Sequence, residues 1–386
     1  PRSRGVARRW QRWHGTSSMA HRTVSPSHIL AGGPTPPAKT LKRIDKYVLG
    51  QKIGEGAFGK VKEGLDTTCL RRVAVKIINR SLLKKAKRGE ENLRREIKCL
   101  KLVKHANVVE LIEVIEKPEK IYVVFEYVSH GSLEQLMQDT PQPTIDVEWT
   151  RSFFWQLLQG LDACHSRGVV HRDIKPANCL VTVSGVLKIS DFGSAELLDQ
   201  WEGDRCETWS GSPAFQAPEL CAGTEVFSGV KVDIWAAGVS LYMALFGKPP
   251  FEGATLCALF DNITKGEYDI PEGTDPKIVD LLRGIMNVDV DARWNIAQIK
   301  RHSWLQPHPP LTKLPVKDSG PSIIDQYMNE EGDEGELDAA DAAGVSALAR
   351  KLSNKTAKDE EREDNATRQK LPGERDYDQD KKCSLQ

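Results

Sequence analysis

The stretch His171–Gly193, HRDIKPANCLVTVSGVLKISDFG, constrains this chain more than any other. Its polar side chains gather at two ends, with Asp173, Lys175 and Asn178 before an apolar run and Asp191 after it. Ser184-Gly185 is a turn signal between CLVTV and VLKIS, two runs that fit short strands. A two-residue turn there sets Val183 opposite Val186, Leu180 opposite Ile189 and Asn178 opposite Asp191. The apolar stretch is then a spacer that folds back and brings an amide oxygen beside a carboxylate. Two hard oxygen donors converging beside a triphosphate make a Mg2+ site, with Mn2+ as the alternative ion. Asp173, upstream, is left to accept a proton from a hydroxyl. Lys175 stands beside it to neutralise a phosphoryl group in transfer. The bland alternative is an ordinary hairpin with solvated ends.

A glycine-rich bend lies further upstream, in QKIGEGAFGKVKEG, where apolar and polar residues alternate around Gly54, Gly56 and Gly59. A dinucleotide fingerprint would open a helix after the glycines, but Val61 continues a strand. A Walker loop would need Ser or Thr after Lys60. What remains is a hairpin tip whose backbone N–H groups can lie over phosphates, or a plain glycine-rich hairpin. In RRVAVKII, strand alternation puts Ala74 and Lys76 on one face. A small residue suits a flat base, and an ammonium one step further suits its phosphates; the alternative for Lys76 is an edge-strand guard. ENLRREIKCLKLV has helical periodicity, with Leu93, Ile97 and Leu100 on one face and Glu96 at its border. A carboxylate there wants a cation, either Lys76 or an Arg at helical spacing. KIYVVFEYVSHGSL fits a buried strand running into a glycine-containing linker, able to offer backbone groups to an adenine edge.

Composition bounds the rest. With 386 residues the chain can hold one large two-lobed domain plus tails, and a formal net charge of zero gives no global basicity for nucleic acid. The eight cysteines include no C-x-x-C pair, which fits free thiols in a reducing compartment. The most apolar segment, Ile234–Gly247, falls short of the roughly 18 residues a spanning helix needs and is expected to be a buried core helix. Arg2, Arg4, Arg8, Arg9 and Arg12 crowd the start, with no acid before Asp45. A transit peptide has that bias; a disordered basic arm, or read-through upstream of a start at Met19, fits an opening on proline better. After Trp304 the chain turns Pro-rich, then acidic, then mixed in charge, with too little apolar surface to offset ordering entropy. The expected organisation is a disordered basic arm at 1–44, a folded domain at 45–305 and a largely disordered tail at 306–386. Within the domain, one lobe covers about 47–127 and the other about 128–305.

Taken together, the motifs resemble the eukaryotic protein kinase signature set: G-x-G-x-x-G-x-V (Gly54–Val61), V-A-V-K (Val73–Lys76), H-R-D-I-K-P-A-N (His171–Asn178), D-F-G (Asp191–Gly193) and A-P-E (Ala217–Glu219). The resemblance implies an α+β, two-lobed protein-kinase fold. Its N-lobe is a small antiparallel β-sheet with one helix, and its C-lobe is larger and mostly helical. ATP would be the phosphoryl donor, with Lys76 on its α/β-phosphates and paired to Glu96. Asp173 would be the catalytic base beside Lys175, and Asn178 and Asp191 would hold the metal. Ile53, Val61, Ala74 and Leu180 would sandwich the adenine, backbone groups of Glu126 and Val128 would meet its edge, and Phe125 would be the gatekeeper. Gly54, Gly56 and Gly59 would cover the phosphates. Asp233 would anchor the catalytic-loop backbone, and Glu219 with Arg293 would fix the end of the activation segment. Lys175 after HRDI and Ser212 in GSPAFQAPE resemble serine/threonine kinases. Because Lys76, Glu96, Asp173, Asn178 and Asp191 are all present, a nucleotide-binding pseudokinase scaffold is the weaker reading. A small-molecule phosphotransferase lacks support, since GSPAFQAPE resembles a protein-substrate platform.

RIDKYVLGQKIGEGAFGKVKEGLD, GSPAFQAPE, FSGVKVDIWAAGVSLY, PFEG and IKRHSW are similar to the liver kinase B family, the master kinases upstream of AMP-activated kinase. The alternative is a calcium/calmodulin-kinase-like serine/threonine kinase of another subgroup, where several of these blocks also occur. The liver kinase B resemblance implies protein substrates phosphorylated on activation-loop threonines, with roles in energy sensing and cell polarity. It also implies activation by a pseudokinase adaptor and an armadillo-like scaffold, without loop phosphorylation. Two positions depart from that family's tendency: Arg172 stands where lysine is usual, and Phe192 where leucine is usual. Arg172 therefore opens a second route, loop phosphorylation at Thr208 or Ser210, unless it contacts acidic groups in an unphosphorylated loop. The chain ends KKCSLQ, a C-a-a-X pattern on Cys383 whose terminal Gln favours farnesyl, with Lys381 and Lys382 as a small second signal. That predicts partial, reversible membrane association of a protein otherwise in the cytoplasm, or in cytoplasm and nucleus. RKLS (Arg350–Ser353) resembles a site for basic-directed kinases.

Overall fold

The structure is a computed structural model that describes residues 41–56, 58–140, 144–199, 203–310, 313–314, 323 and 327. The basic arm up to residue 40, Ala57 in the glycine-rich bend, Arg350–Ser353 and Cys383 lie outside the described residues.

Alternating sequence builds the first lobe. Strands β1 (Lys42–Ile44), β2 (Tyr47–Gly56), β3 (Gly59–Asp66), β4 (Arg71–Asn79), β5 (Leu111–Glu116) and β6 (Lys120–Glu126) form one antiparallel sheet in the order β1-β2-β3-β4-β6-β5. In β4 the residues Val73, Val75 and Ile77 are buried on one face while Ala74 and Lys76 share the other, half-buried face. β1 starts at Lys42, inside the stretch expected to be disordered, because Lys42, Arg43 and Ile44 pair with Leu49, Val48 and Tyr47.

Between β4 and β5 the sequence predicts one helix, and the structure has two, α1 (Arg80–Lys85) and α2 (Gly89–Leu102). The short α1 owes its start to Asn79, whose side chain accepts from the Ser81 N–H. In α2 the buried face takes in Leu93, Glu96, Cys99 and Leu100, so Glu96 falls inside the apolar stripe rather than at its border.

The second lobe is mostly helical: α3 (Leu133–Asp139), α4 (Val147–His165), α5 (Pro218–Cys221), α6 (Gly229–Phe246), α7 (Leu256–Lys265), α8 (Pro276–Ile285) and α9 (Ile296–Lys300). Short strands thread between them: β7 (Gly131–Ser132), β8 (Val169–Val170), β9 (Cys179–Val181), β10 (Leu187–Ile189), β11 (Glu196–Leu197), β12 (Arg205–Cys206) and β13 (Phe227–Ser228). Helix α6 is apolar all round, with Val232, Ile234, Trp235, Val239 and Leu241 all buried, which puts it at the centre of the lobe. It begins at Gly229, earlier than the apolar run suggests. Ser228 caps its start by accepting from Lys231 N–H, and Gly247 closes its end. By length and composition α6 alone among the described helices could cross a membrane, yet it is packed inside the lobe.

The β9–β10 hairpin corrects the expected register. Val181 faces Leu187, Leu180 faces Lys188 and Cys179 faces Ile189, one residue away from the pairing a two-residue turn would give. The loop is Val183-Ser184-Gly185, closed by Thr182 N–H to Val186 O (2.9 Å) and Gly185 N–H to Thr182 O (3.0 Å). Gly185 has φ +85°, a left-handed conformation that costs glycine nothing and completes a three-residue loop of the type I plus bulge kind. Asn178 therefore falls opposite Ser190, whose N–H and Oγ both donate to Asn178 O at 2.9 and 3.0 Å.

Past Leu305 the chain was expected to be largely disordered, but its described residues pack on both lobes. Ser152 Oγ donates to Pro310 O (2.9 Å), His308 stacks on Trp155, and buried Leu314 donates its N–H to Val183 O (2.9 Å). Ile323 and Tyr327 are buried against Val48 and Leu65 of the first lobe, with the Arg43 guanidinium 5.3 Å from the Tyr327 ring centre. Composition missed this because a few apolar residues docking on a finished surface leave no compositional mark.

Candidate active site

Three elements place the first charge cluster. The half-buried face of β4 carries Lys76 toward α2, where its Nζ meets Glu96 Oε1 at 2.6 Å. Asp191 Oδ1 lies 3.8 Å from the same ammonium, brought there from beyond β10. Burial pushes the Lys76 ammonium down, but the Glu96 and Asp191 carboxylates outweigh it and hold the pKa above its ordinary value. Lys76 is thus a fixed positive charge at neutral pH. Asp191 itself has φ +60° and a side chain 57% exposed, so its carboxylate opens toward the cleft between the lobes.

The second cluster surrounds Asp173. Its Oδ1 accepts from Ser212 N–H (2.9 Å) and Ser212 Oγ (2.8 Å), and its Oδ2 accepts from Lys175 Nζ (2.8 Å) and Asn178 Nδ2 (3.1 Å). Lys175 Nζ also donates to Ser212 Oγ at 2.7 Å, which closes a ring of catalytic loop and activation segment. The Asn178 amide nitrogen is spent on Asp173 O (2.8 Å) and Oδ2, so its oxygen is the end left for a hard cation. In the observed register Asn178 and Asp191 are not directly across a strand pair; Asn178 contacts Asp173, and Asp191 lies beside Lys76. An amide oxygen and an open carboxylate still fit a divalent ion by donor type.

Backbone scaffolding comes from α6. Asp233, fully buried, accepts from His171 N–H (2.8 Å) and Arg172 N–H (2.7 Å), with His165 Nε2 at 2.8 Å. Burial pushes this carboxyl up, but the His165 hydrogen bond, the His165 and His171 rings and the His171 N–H hold it below the usual carboxylate value. At the far end of the activation segment, Arg293 grips Glu219 with two bonds, 2.9 and 2.8 Å, its side chain wholly buried over Trp235. Arg172 is paired with Glu196 and donates to Ser194 O (2.9 Å), Thr208 O (2.7 Å) and Thr208 Oγ1 (2.8 Å). Arg172 thus has an acidic partner within the chain. Sequence reading did not name Glu196, because no periodicity links a β11 residue to the catalytic loop.

The remaining candidates line the cleft from several strands. Val61 on β3 lies opposite Lys76, and Ala74 opposite Phe125. Gly54 and Gly56 pair with Val61 and Gly59 near the hairpin tip, and a Cβ on Gly59 would lie 1.7 Å from Ile77 O, so only glycine fits there. Ile53 is 43% exposed, Val128 and Leu180 half-buried. Glu126 N–H donates to Glu110 O (3.1 Å). Its carboxylate pairs with Lys188 at 2.8 Å, a contact the expected register would have turned to the other face. The described cysteines are free thiols. Burial pushes Cys179 and Cys206 up to about 12, which keeps both protonated and unreactive at neutral pH.

The family model for the protein kinase domain matches residues 47–305. Serine/threonine-protein kinase stk11 of Xenopus laevis is 44% identical over 321 residues, 82% of this chain and 73% of its own length. Serine/threonine-protein kinase STK11 of Homo sapiens is 43% identical over 305 residues, 78% of this chain and 69% of its own length. CBL-interacting serine/threonine-protein kinase 21 of Arabidopsis thaliana is 41% identical over 267 residues, 69% of this chain and 62% of its own length.

Proposed function

This chain belongs to the protein kinase family as a serine/threonine kinase related to STK11, and we propose that it acts as a liver kinase B-type master kinase. Its substrates would be activation-loop threonines of AMP-activated kinase and related kinases. The observation that carries this reading is how far the similarity to the vertebrate STK11 relatives reaches. Segment 47–305 is about two thirds of the chain, and the similarity to the Arabidopsis kinase is about as long, 69% of the chain. The similarity to the Xenopus STK11 covers 82% of the chain, so it runs outside the kinase domain. The plant kinase is 41% identical over 267 residues, close to the 44% of the Xenopus STK11 over 321, which favours as a second reading a serine/threonine kinase of another subgroup.

Within the site, Asp173 would take the proton of the substrate hydroxyl as its oxygen attacks the γ-phosphorus of ATP. One P–O bond forms to the protein and one breaks to release ADP. Ser212 and Lys175 hold the Asp173 carboxylate at fixed distance from the segment that carries the substrate platform. Lys76, kept in place by Glu96, would meet the α/β-phosphates. Ile53, Val61, Ala74 and Leu180 would enclose the adenine, with backbone groups of Glu126 and Val128 at its edge. Asn178 Oδ1 and Asp191 would hold Mg2+, which when bound neutralises phosphate charge and orients the transferring group. The proposed partners are a pseudokinase adaptor and an armadillo-like scaffold. Reversible membrane association through Cys383 is a separate proposal, tested by the membrane fraction of a Cys383→Ser variant.

The deciding experiment assays the full chain on an AMP-activated-kinase activation-loop peptide, with and without the adaptor pair. The expected result is slow transfer alone and a rise with the pair. Full activity in isolation, with no preference for that peptide, would favour the other subgroup and leave the kinase activity itself standing.

A further inference from the structure

Helix α6 is apolar on every side, yet its last turn is not fully covered by protein. Leu245 and Phe246 are half-buried there, and both line a cavity of about 430 Å3 in the second lobe. Buried Ile278 of α8 and buried Trp304 line the same space. Val147, the first residue of α4, stands at its rim and is 46% exposed. The volume falls in the range of small-molecule sites, roughly 300–1,000 Å3. Apolar surface left open around a hollow favours a ligand with apolar surface of its own.

The polar lining narrows the kind of ligand. Arg151, one turn along α4 from Val147, has a side chain only 20% exposed, and its Nε is buried with no hydrogen-bond partner among the described residues. Its other nitrogens meet Pro307 O at 3.4 Å and the Glu148 carboxylate at 3.8 Å, both long for a guanidinium. Lys277, in the first turn of α8, has no carboxylate within ion-pairing distance among the described residues. The two acids of the lining are engaged elsewhere. Asp275 Oδ1 accepts the Lys277 N–H (2.8 Å) as the cap of α8, so its charge is set against that helix N-terminus. The Glu148 side chain is 66% exposed and directed to water more than to the cavity. An apolar wall with two under-satisfied cations is the complement of an alkyl chain that ends in an anion.

We propose that this cavity binds a medium- or long-chain fatty acid, with the alkyl chain against Leu245, Phe246, Ile278 and Trp304 and the carboxylate on Arg151 and Lys277. The site is separate from the phosphoryl-transfer centre: Phe246 lies about 20 Å along α6 from Asp233, at roughly 1.5 Å per residue. Ile145 N–H donates to Ala244 O (2.9 Å), which ties the entry of α4 to the end of α6 and fixes the wall between them. Each methylene buried there adds to affinity, so binding strengthens with chain length until the cavity is full.

The test titrates the full chain with octanoate, dodecanoate and dodecanol by calorimetry, each below its micelle concentration. One dodecanoate per chain should bind, at least about 10-fold more tightly than octanoate. Dodecanol, the same chain without the carboxylate, should bind about 10-fold more weakly than dodecanoate. Lys277→Gln should narrow that gap to less than about 3-fold, with dodecanol affinity unchanged. Val147→Trp, which fills the rim from an exposed position, should weaken dodecanoate at least about 10-fold while peptide phosphorylation stays at the wild-type rate. Vesicles of phosphatidic acid separate the free acid from an acyl chain held in a lipid. Sedimentation with such vesicles, blocked by Val147→Trp, without uptake of free dodecanoate would overturn the proposal. So would equal affinity for dodecanol and dodecanoate, indifference to chain length, or undiminished binding by Val147→Trp. Should Val147→Trp fail to fold, the comparison of acid with alcohol in Lys277→Gln decides.

Discussion

Asp233 shows how one buried carboxylate links stability to pH. Its folded pKa lies below the ordinary 3.8, so its contribution is present above that value and is lost as pH falls through the folded pKa. Asp233→Asn keeps the shape but turns an N–H toward backbone donors, which costs about 1–3 kcal/mol at neutral pH. Denaturant midpoints measured from about pH 5 down to about pH 3 should fall more steeply for wild type than for Asp233→Asn. Parallel slopes would contradict that role. At this scale the sequence was informative where chemistry follows local period. Alternation on β4 put Lys76 beside Ala74, and a helical stripe put Glu96 within reach of a cation. It was silent where partners meet only through tertiary folding, as Arg172 and Glu196 do.

Elements were legible in type and less so in their joins. The six-stranded sheet and the buried α6 follow from alternation and from a helix apolar on every side. The β9–β10 register did not, because Ser-Gly serves equally in a two-residue turn and at the end of a three-residue loop. One residue of difference reversed which face Lys188 occupies and gave it Glu126 as a partner. Helix α1 was missed because a single capped turn has no period to detect. The junction of α5 with the loop before α9 depends on Arg293 and Glu219. Arg293→Ala would leave the buried Glu219 carboxylate without its partner and should cost about 3–5 kcal/mol, read from urea or guanidinium unfolding. A loss under about 1 kcal/mol would show that the pair is not what holds the segment end.

At the scale of the molecule, the chain after Leu305 reaches both lobes, which a compositional reading cannot see. Ile323, fully buried between Val48 and Leu65, fastens it to the β-sheet lobe. Ile323→Ala should cost about 2–4 kcal/mol of that contact and raise hydrogen exchange in β2 and β3 more than in α6. Unchanged protection in β2 and β3 would show that the docking adds nothing. The two-lobed arrangement brings Lys76 and Glu96 of the first lobe to Asp191 of the second, where Asp173, Lys175 and Asn178 form their own cluster, and the chemistry depends on both. The most direct measurement is transfer of the ATP γ-phosphoryl group to a serine/threonine peptide by wild type, Lys76→Met and Asp191→Ala. The predicted result is Mg2+-dependent transfer by wild type and a loss of about a thousandfold or more in each variant, with melting temperatures close to wild type. Undiminished turnover in either variant would contradict the assignment of this cluster as the active centre.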